Sequence, residues 1–221
     1  MYKVTSLIHT ASTAPAETTS QLVGALRETA KSLNSVQALI EPTLPGVRNG
    51  GDILMHLQVE DAAHWRAIRA SFDHILDGPA IDHVDEVEYV PGRSSHGSTA
   101  TATVYRTLLL RVEDGTAPAS IRRFEAELMR MPAFIETITA WRLSEVVATR
   151  GSTRYTHVWE QEFTDLDGLM GPYLAHPVHW AYVDKWFDPE CPEIIVRDRV
   201  CHSFCKLEDT VIDVLVTEMT A

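Results

Sequence analysis

The order of strand-like and helix-like segments runs twice through this chain, and that repetition narrows the fold more than any single motif. Residues 2–9 read as a strand, 16–33 carry Leu22, Leu26, Ala30 and Leu33 along one helical side, and 36–40 and 53–59 are strand-like around a turn-rich stretch at 42–51. A helix at 61–76 and a strand at 81–90 complete a βαββαβ order, the split βαβ of a ferredoxin-like unit. After the turn-forming residues of 91–100 the order returns. It runs through strand 103–112, helix 118–131 with Ile121, Phe124, Leu128 and Met131, strands 138–147 and 155–163, a broken helix and a strand at 193–204. A lone unit of this kind leaves one sheet face without helices, so two units in one chain bury those faces against each other. The expected fold is α+β, with tandem ferredoxin-like (βαββαβ) repeats closing one pseudo-twofold barrel. Its boundaries are 1–92 for the first repeat, 93–100 for a linker, 101–205 for the second repeat and 206–221 for an amphipathic tail.

A chain of 221 residues, 45% of them hydrophobic, can bury a substantial core. It holds no apolar run of bilayer length and no basic-then-apolar leader, so a cytoplasmic protein without a membrane partner is expected. The formal net charge of -12 argues against nucleic acid, whose phosphates need a basic surface. Cys191, Cys201 and Cys205 are odd in number and lack zinc-like spacing, so they are expected to be reduced.

Chemistry-bearing residues gather between Tyr155 and His179. With period two, Tyr155, His157, Trp159, Gln161 and Phe163 share one strand face, opposite Glu160 and Glu162. Asp165 can cap the next helix, whose stripe is Leu166, Leu169, Met170, Tyr173 and Leu174. Pro177 disfavours helical geometry at His176 and fits the first turn of a restarted helix, in which Val178, Ala181, Tyr182, Lys185 and Trp186 continue the apolar face. The break turns His176 and His179 towards the space under Tyr173.

The Tyr-Thr-His strand start, the acidic cap and the Tyr-x-x-His-Pro-x-His ending resemble the stress-responsive A/B barrel family, Dabb. That resemblance implies an intrachain version of the dimeric α+β barrel. Members of olivetolic acid cyclase type use the tyrosine and the last histidine of this ending in an aldol-type ring closure, which puts those roles on Tyr173 and His179 and matches the strand histidine to His157. One residue departs from that pattern: Arg106 stands where the cyclase has a histidine on its first strand, followed on the same face by Leu108, Leu110 and Val112. An arginine among aliphatics is costly unless paired, so a carboxylate partner is expected, either from the substrate or from the protein, the alternative being a head group that reaches solvent at the strand end.

The physical chemistry agrees with such roles. Taking a proton next to a carbonyl needs a base near neutral pKa, which imidazole supplies, and a donor for the developing enolate oxygen, which a phenol supplies. The candidate catalytic residues are His179, Tyr173 and His157. Arg106, Leu108, Leu110, Trp159, His176 and Trp186 are expected to bind substrate. The leading expectation is a cofactor-independent lyase or cyclase acting on a small polyketide-like or aromatic carbonyl compound. A non-enzymatic stress or ligand-binding barrel and a cofactor-free oxygenase stand beside it. For His176 the capping of the restarted helix is the favoured alternative, and for His157 and Tyr173 a place in the core is the alternative. No cofactor and no metal are expected, since Glu160 points away from His157 and His-x-x-His around a proline is a weak ligand signal. The first repeat lacks His-Pro-x-His, so one pocket per chain is expected, and a homodimer of the two-repeat chain stays open.

Overall fold

The computed structural model describes residues 1–33, 36–197 and 200–213. The first repeat comprises β1 (Tyr2–Thr10), α1 (Thr18–Ser32), β2 (Gln37–Pro42), β3 (Ile53–Val59), α2 (Ala62–Leu76) and β4 (Ile81–Tyr89). After a short β5 (Arg93–His96), the second comprises β6 (Val104–Leu110), α3 (Pro118–Arg130), β7 (Ile138–Arg150), β8 (His157–Phe163), a broken helix opened by α4 (Leu166–Gly168), and β9 (Cys201–Lys206). The nine strands form one sheet in the order β2-β3-β1-β4-β7-β8-β6-β9, with β5 beside β7. Both repeats therefore show the same spatial order, second-third-first-fourth, and every pairing is antiparallel.

Two seams join the repeats. At one, β4 pairs with β7 from Glu86–Arg150 to Tyr89–Val146. At the other, β9 meets the end of β2 through bridges Thr43–Cys205 and Arg48–His202. Leu44 N donates to Phe204 O at 3.0 Å beside them.

Period-two alternation then sends each strand's residues to two different cores. On the helix side of the first repeat, Val4, Ile8, Met55 and Leu57 pack with Leu26, Trp65 and Phe72. On the helix side of the second, Leu108, Leu110, Trp159 and Phe163 pack with Phe124, Leu128 and Tyr173. The barrel interior holds Leu7, Leu54, Val87, Tyr105, Leu109, Val158 and Cys205. Lys3, Thr5, His56, Arg142 and Glu160 are also buried.

Several boundaries differ from the sequence reading. β8 begins at His157, and Tyr155 packs in the barrel interior with Val158, its hydroxyl 2.9 Å from Cys201 Sγ, instead of sharing a face with His157. The last strand starts at Cys201, because Ile195 and Val196 give their N–H groups to Trp186 O and pack under the broken helix. Residues 93–96 of the expected linker are strand β5, paired to β7. Gly92 allows that approach, since a Cβ there would stand 2.1 Å from Leu143 O.

The start of the tail closes over one end of the barrel. Leu207 and Ile212 join the interior core. The Glu162 carboxylate accepts from Thr210 Oγ1 at 2.8 Å, Val211 N at 2.8 Å and Ile212 N at 2.9 Å. Residues 214–221 of the expected tail lie outside the described residues. Replacing Glu162 with Ala leaves these donors without their acceptor. It should cost about 1–3 kcal/mol in urea unfolding and speed amide exchange at Val211 and Ile212. Unchanged exchange at both amides would contradict this account of the tail.

Candidate active site

The broken helix sets the geometry. Asp165 Oδ1 accepts from Gly168 N at 2.7 Å and caps its start. Pro172 has no N–H to continue an α-helical ladder, and the backbone widens into a π turn over Leu169–Tyr173. The chain leaves helical structure at His176, restarts with Pro177, and widens again over His179–Val183. These wide turns rotate the apolar face. Tyr173 and Val183 are buried, whereas Met170, Trp180 and Tyr182 are 42%, 62% and 36% exposed. Met170, Ala181 and Tyr182, expected on the buried stripe, therefore face outwards.

Tyr173 and His179 end up together, ring centroids 5.0 Å apart and edge to face. Below them the outward face of the sheet presents Arg106 from β6 and His202 from β9. The Arg106 guanidinium carbon lies 4.9 Å from the Tyr173 ring centre. Arg106 Nε donates to His202 Nε2 at 2.6 Å, and Nη1 donates to Gln161 Oε1 across the strand pair. Arg106 is only 3% exposed. Among the described residues it pairs with no carboxylate, so the expected protein salt bridge is not there. His179 Nδ1 lies 3.2 Å from Asp184 Oδ1, one turn further along. A cavity of ≈ 460 Å³ opens between sheet and helix, lined by these side chains with Leu108, Phe187, Val196 and, from the first repeat, Arg48 and Asn49.

Burial governs protonation here. It lowers the pKa of His179; Asp184 opposes the shift and Arg106 reinforces it. His202 lies well below the ordinary imidazole value, first through burial and then through Arg106 and His179. Burial raises the Tyr173 phenol, and Arg106 pulls it back. Burial also lowers Arg106, with Tyr173 opposing. The cleft at neutral pH thus holds two neutral imidazoles, a protonated phenol and a guanidinium.

Of the residues singled out from sequence, Tyr173, His179, Arg106 and Leu108 line this cavity. The others lie elsewhere. His157 packs edge to face on Phe124 and faces Glu125 Oε1 at 3.3 Å and Thr156 Oγ1 at 2.8 Å, in a separate cleft with Glu145. Trp159 is buried against Trp141, and Leu110 is core. His176 Nδ1 accepts from Val178 N at 3.2 Å, a capping contact. Trp186 is buried against Phe124 and donates to Glu127 Oε2 at 2.8 Å. The sequence reading missed His202, Asp184 and Arg48. The alternation of His202 with Phe204 on one strand face was the available signal for the first; nothing local pointed to Arg48, which reaches the cleft across the β2–β9 seam.

Among the described residues, His9, His83 and Asp85 are the donors close enough together to share a metal ion, and they lie outside this cleft. The His9 and His83 rings stack at 3.9 Å and 14°, which sets their lone pairs side by side instead of converging.

Residues 104–201 match the family model of the Stress responsive A/B Barrel Domain, Dabb. The second repeat, with the cleft on its helix side, is a domain of that family. No curated protein matches the sequence. Among solved structures, an anthrone oxidase-like protein aligns at 10% identity and TM-score 0.66, covering 94% of this chain and 91% of that one. A mutant chlorite dismutase from Candidatus Nitrospira defluvii aligns at 7% identity and TM-score 0.60, covering 92% and 90%. A putative monooxygenase from Lactobacillus acidophilus NCFM aligns at 10% identity and TM-score 0.52, covering 96% and 98%. At these identities the likeness is one of fold, and it extends over both repeats. No helix of the described residues is long and apolar enough to cross a membrane.

The depressed histidines give the stability a pH dependence. His179 and His202 bind protons more weakly folded than unfolded, so the unfolded state takes up protons first as pH falls below 6.5, the ordinary imidazole value. Stability should hold above that pH and decline as the pH falls below it. Thermal unfolding of wild type and His202→Asn should show a shallower acid decline in the variant; equal slopes would contradict the assignment.

Proposed function

We propose that this protein is a cofactor-independent lyase or cyclase that acts by acid–base chemistry on a small carbonyl compound, aromatic or polyketide-like, bearing an acidic group. The observation that carries the reading is the juxtaposition of His179, Tyr173 and a carboxylate-free Arg106 in one cavity. His179, whose Nδ1 lies 3.2 Å from Asp184 Oδ1, is the base for a proton on the carbon next to the carbonyl. Tyr173 donates to the oxygen on which charge develops, and the neighbouring guanidinium stabilises that charge further. Arg106 seats the substrate's acid group, while His202, neutral and accepting from Nε, fixes the fork without neutralising it. His157, His176, Trp159, Leu110 and Trp186 act in this reading as support for the cleft. The cytoplasm suits Cys191, Cys201 and Cys205, none of which is in a disulfide.

The fold shared with an anthrone oxidase-like protein and a putative monooxygenase favours a second reading, a cofactor-free oxygenase. There the same base would take a phenolic proton from an electron-rich aromatic. Oxygen consumption separates the two readings.

The test follows loss of the α-carbon proton signal by NMR for a panel of enolisable oxo acids in heavy water. Wild type should catalyse exchange, His179→Ala should lose about 100-fold, and Tyr173→Phe about 10-fold or more. Exchange that survives in the double variant would sink the proposal. No exchange with any acid, but stoichiometric binding, would move the protein to a ligand-binding role.

A further inference from the structure

The inward face of the sheet carries a second cluster that the cleft does not use. Lys3 is fully buried on β1, between Gln58 of β3 and Tyr89 of β4. Its Nζ lies 3.3 Å from His56 Nε2 and donates to Val211 O at 2.8 Å. The nearest carboxylate oxygen, Glu160 Oε1, stands off at 3.9 Å and accepts instead from the Tyr105 hydroxyl at 3.0 Å. Arg142, a second buried cation, lies 3.8 Å from the other oxygen of the same Glu160. Arg142 Nε and Nη1 have no hydrogen-bond partner among the described residues. A lysine so placed is costly as an ammonium ion. Burial lowers its pKa, Arg142 acts in the same direction, and Glu160, Asp213 and Glu162 oppose.

Access is what turns this from a packing curiosity into a site. A cavity of ≈ 670 Å³ lies between β2 and the segment 208–213, and both hydrogen-bond partners of Nζ, His56 and Val211, line it. Residues 208–213, which include Val211, lie outside any strand and are anchored by Ile212 and the Glu162 carboxylate. Displacement of that segment would free Nζ from the Val211 carbonyl.

We propose that Lys3 is an amine nucleophile that forms a Schiff base with a small oxo acid admitted to the barrel when residues 208–213 lift. The neutral amine attacks the carbonyl carbon, forming the C–N bond as the carbonyl π pair moves to oxygen. His56 Nε2 takes an N–H proton and returns it to that oxygen. The second N–H proton follows, the C–O bond breaks, and oxygen departs as water as C=N closes. Amine plus carbonyl gives imine plus water, with no oxidant or reductant. Arg142 Nε and Nη1, which make no hydrogen bond among the described residues, suit the acid's carboxylate.

The test is reductive trapping of the full chain with glyoxylate and cyanoborohydride, followed by peptide mass mapping. The competing amines are few: Lys31, Lys185, Lys206 and the N-terminus. Incubation runs past the exchange time of the Val211 and Ile212 amides, so the segment has opened in wild type itself. The expected result is an adduct on Lys3, formed about tenfold faster in Ile212→Ser, whose segment is more weakly held. Adducts confined to the other amines, in wild type and variant alike, would overturn the proposal.

Discussion

Joining the two repeats into one barrel buries the central strands on both faces, one under helices and one inside the barrel. Water then satisfies little on either side, so any polar side chain on these strands must find a partner or remain costly. Most do: Glu86 takes Arg69 and Ser6, and Glu162 takes the tail. The exceptions locate the chemistry. Arg106 points outwards with only neutral partners, and Lys3 points inwards with its carboxylate held at a distance.

The helix that covers Arg106 could not place its groups as a regular α-helix. Pro172 and Pro177 interrupt it, and the two π turns swing Tyr173 and His179 over the guanidinium while exposing Trp180 and Tyr182. Such turns recur at functional sites because they redirect side chains without dissolving the helix. The first repeat has no such interruption: α2 runs unbroken from Ala62 to Leu76 and buries Trp65, Phe72 and Leu76. The asymmetry between the repeats is thus one of backbone as much as of residue type.

Periodicity made the duplicated order, the paired sheets and the α3 core of Phe124, Leu128 and Met131 legible in the sequence, because each is a local pattern repeated. The Tyr173–His179 pair was legible for a similar reason, a short motif around a proline. His157 misled because face assignment alone cannot say which outward residues meet the cavity. It shares Trp159's face yet lies at the far end of β8, beside Glu125. His202, Asp184 and Arg48 depend on strand pairing and seam closure between distant segments, which no local pattern encodes. The helix stripe failed at Met170 and Tyr182 because a π turn shifts the period mid-helix.

Arg106 as the seat of an acidic group is the central claim, and its Nε–H, held by His202, is a direct reporter. The measurement is a nitrogen–proton correlation spectrum of the arginine side chains during titration with an enolisable oxo acid and, separately, with its methyl ester. A saturable shift of the Arg106 resonance with the acid and none with the ester is the predicted result. Equal responses to both, or catalysed exchange with an unmoved Arg106 signal, would contradict it.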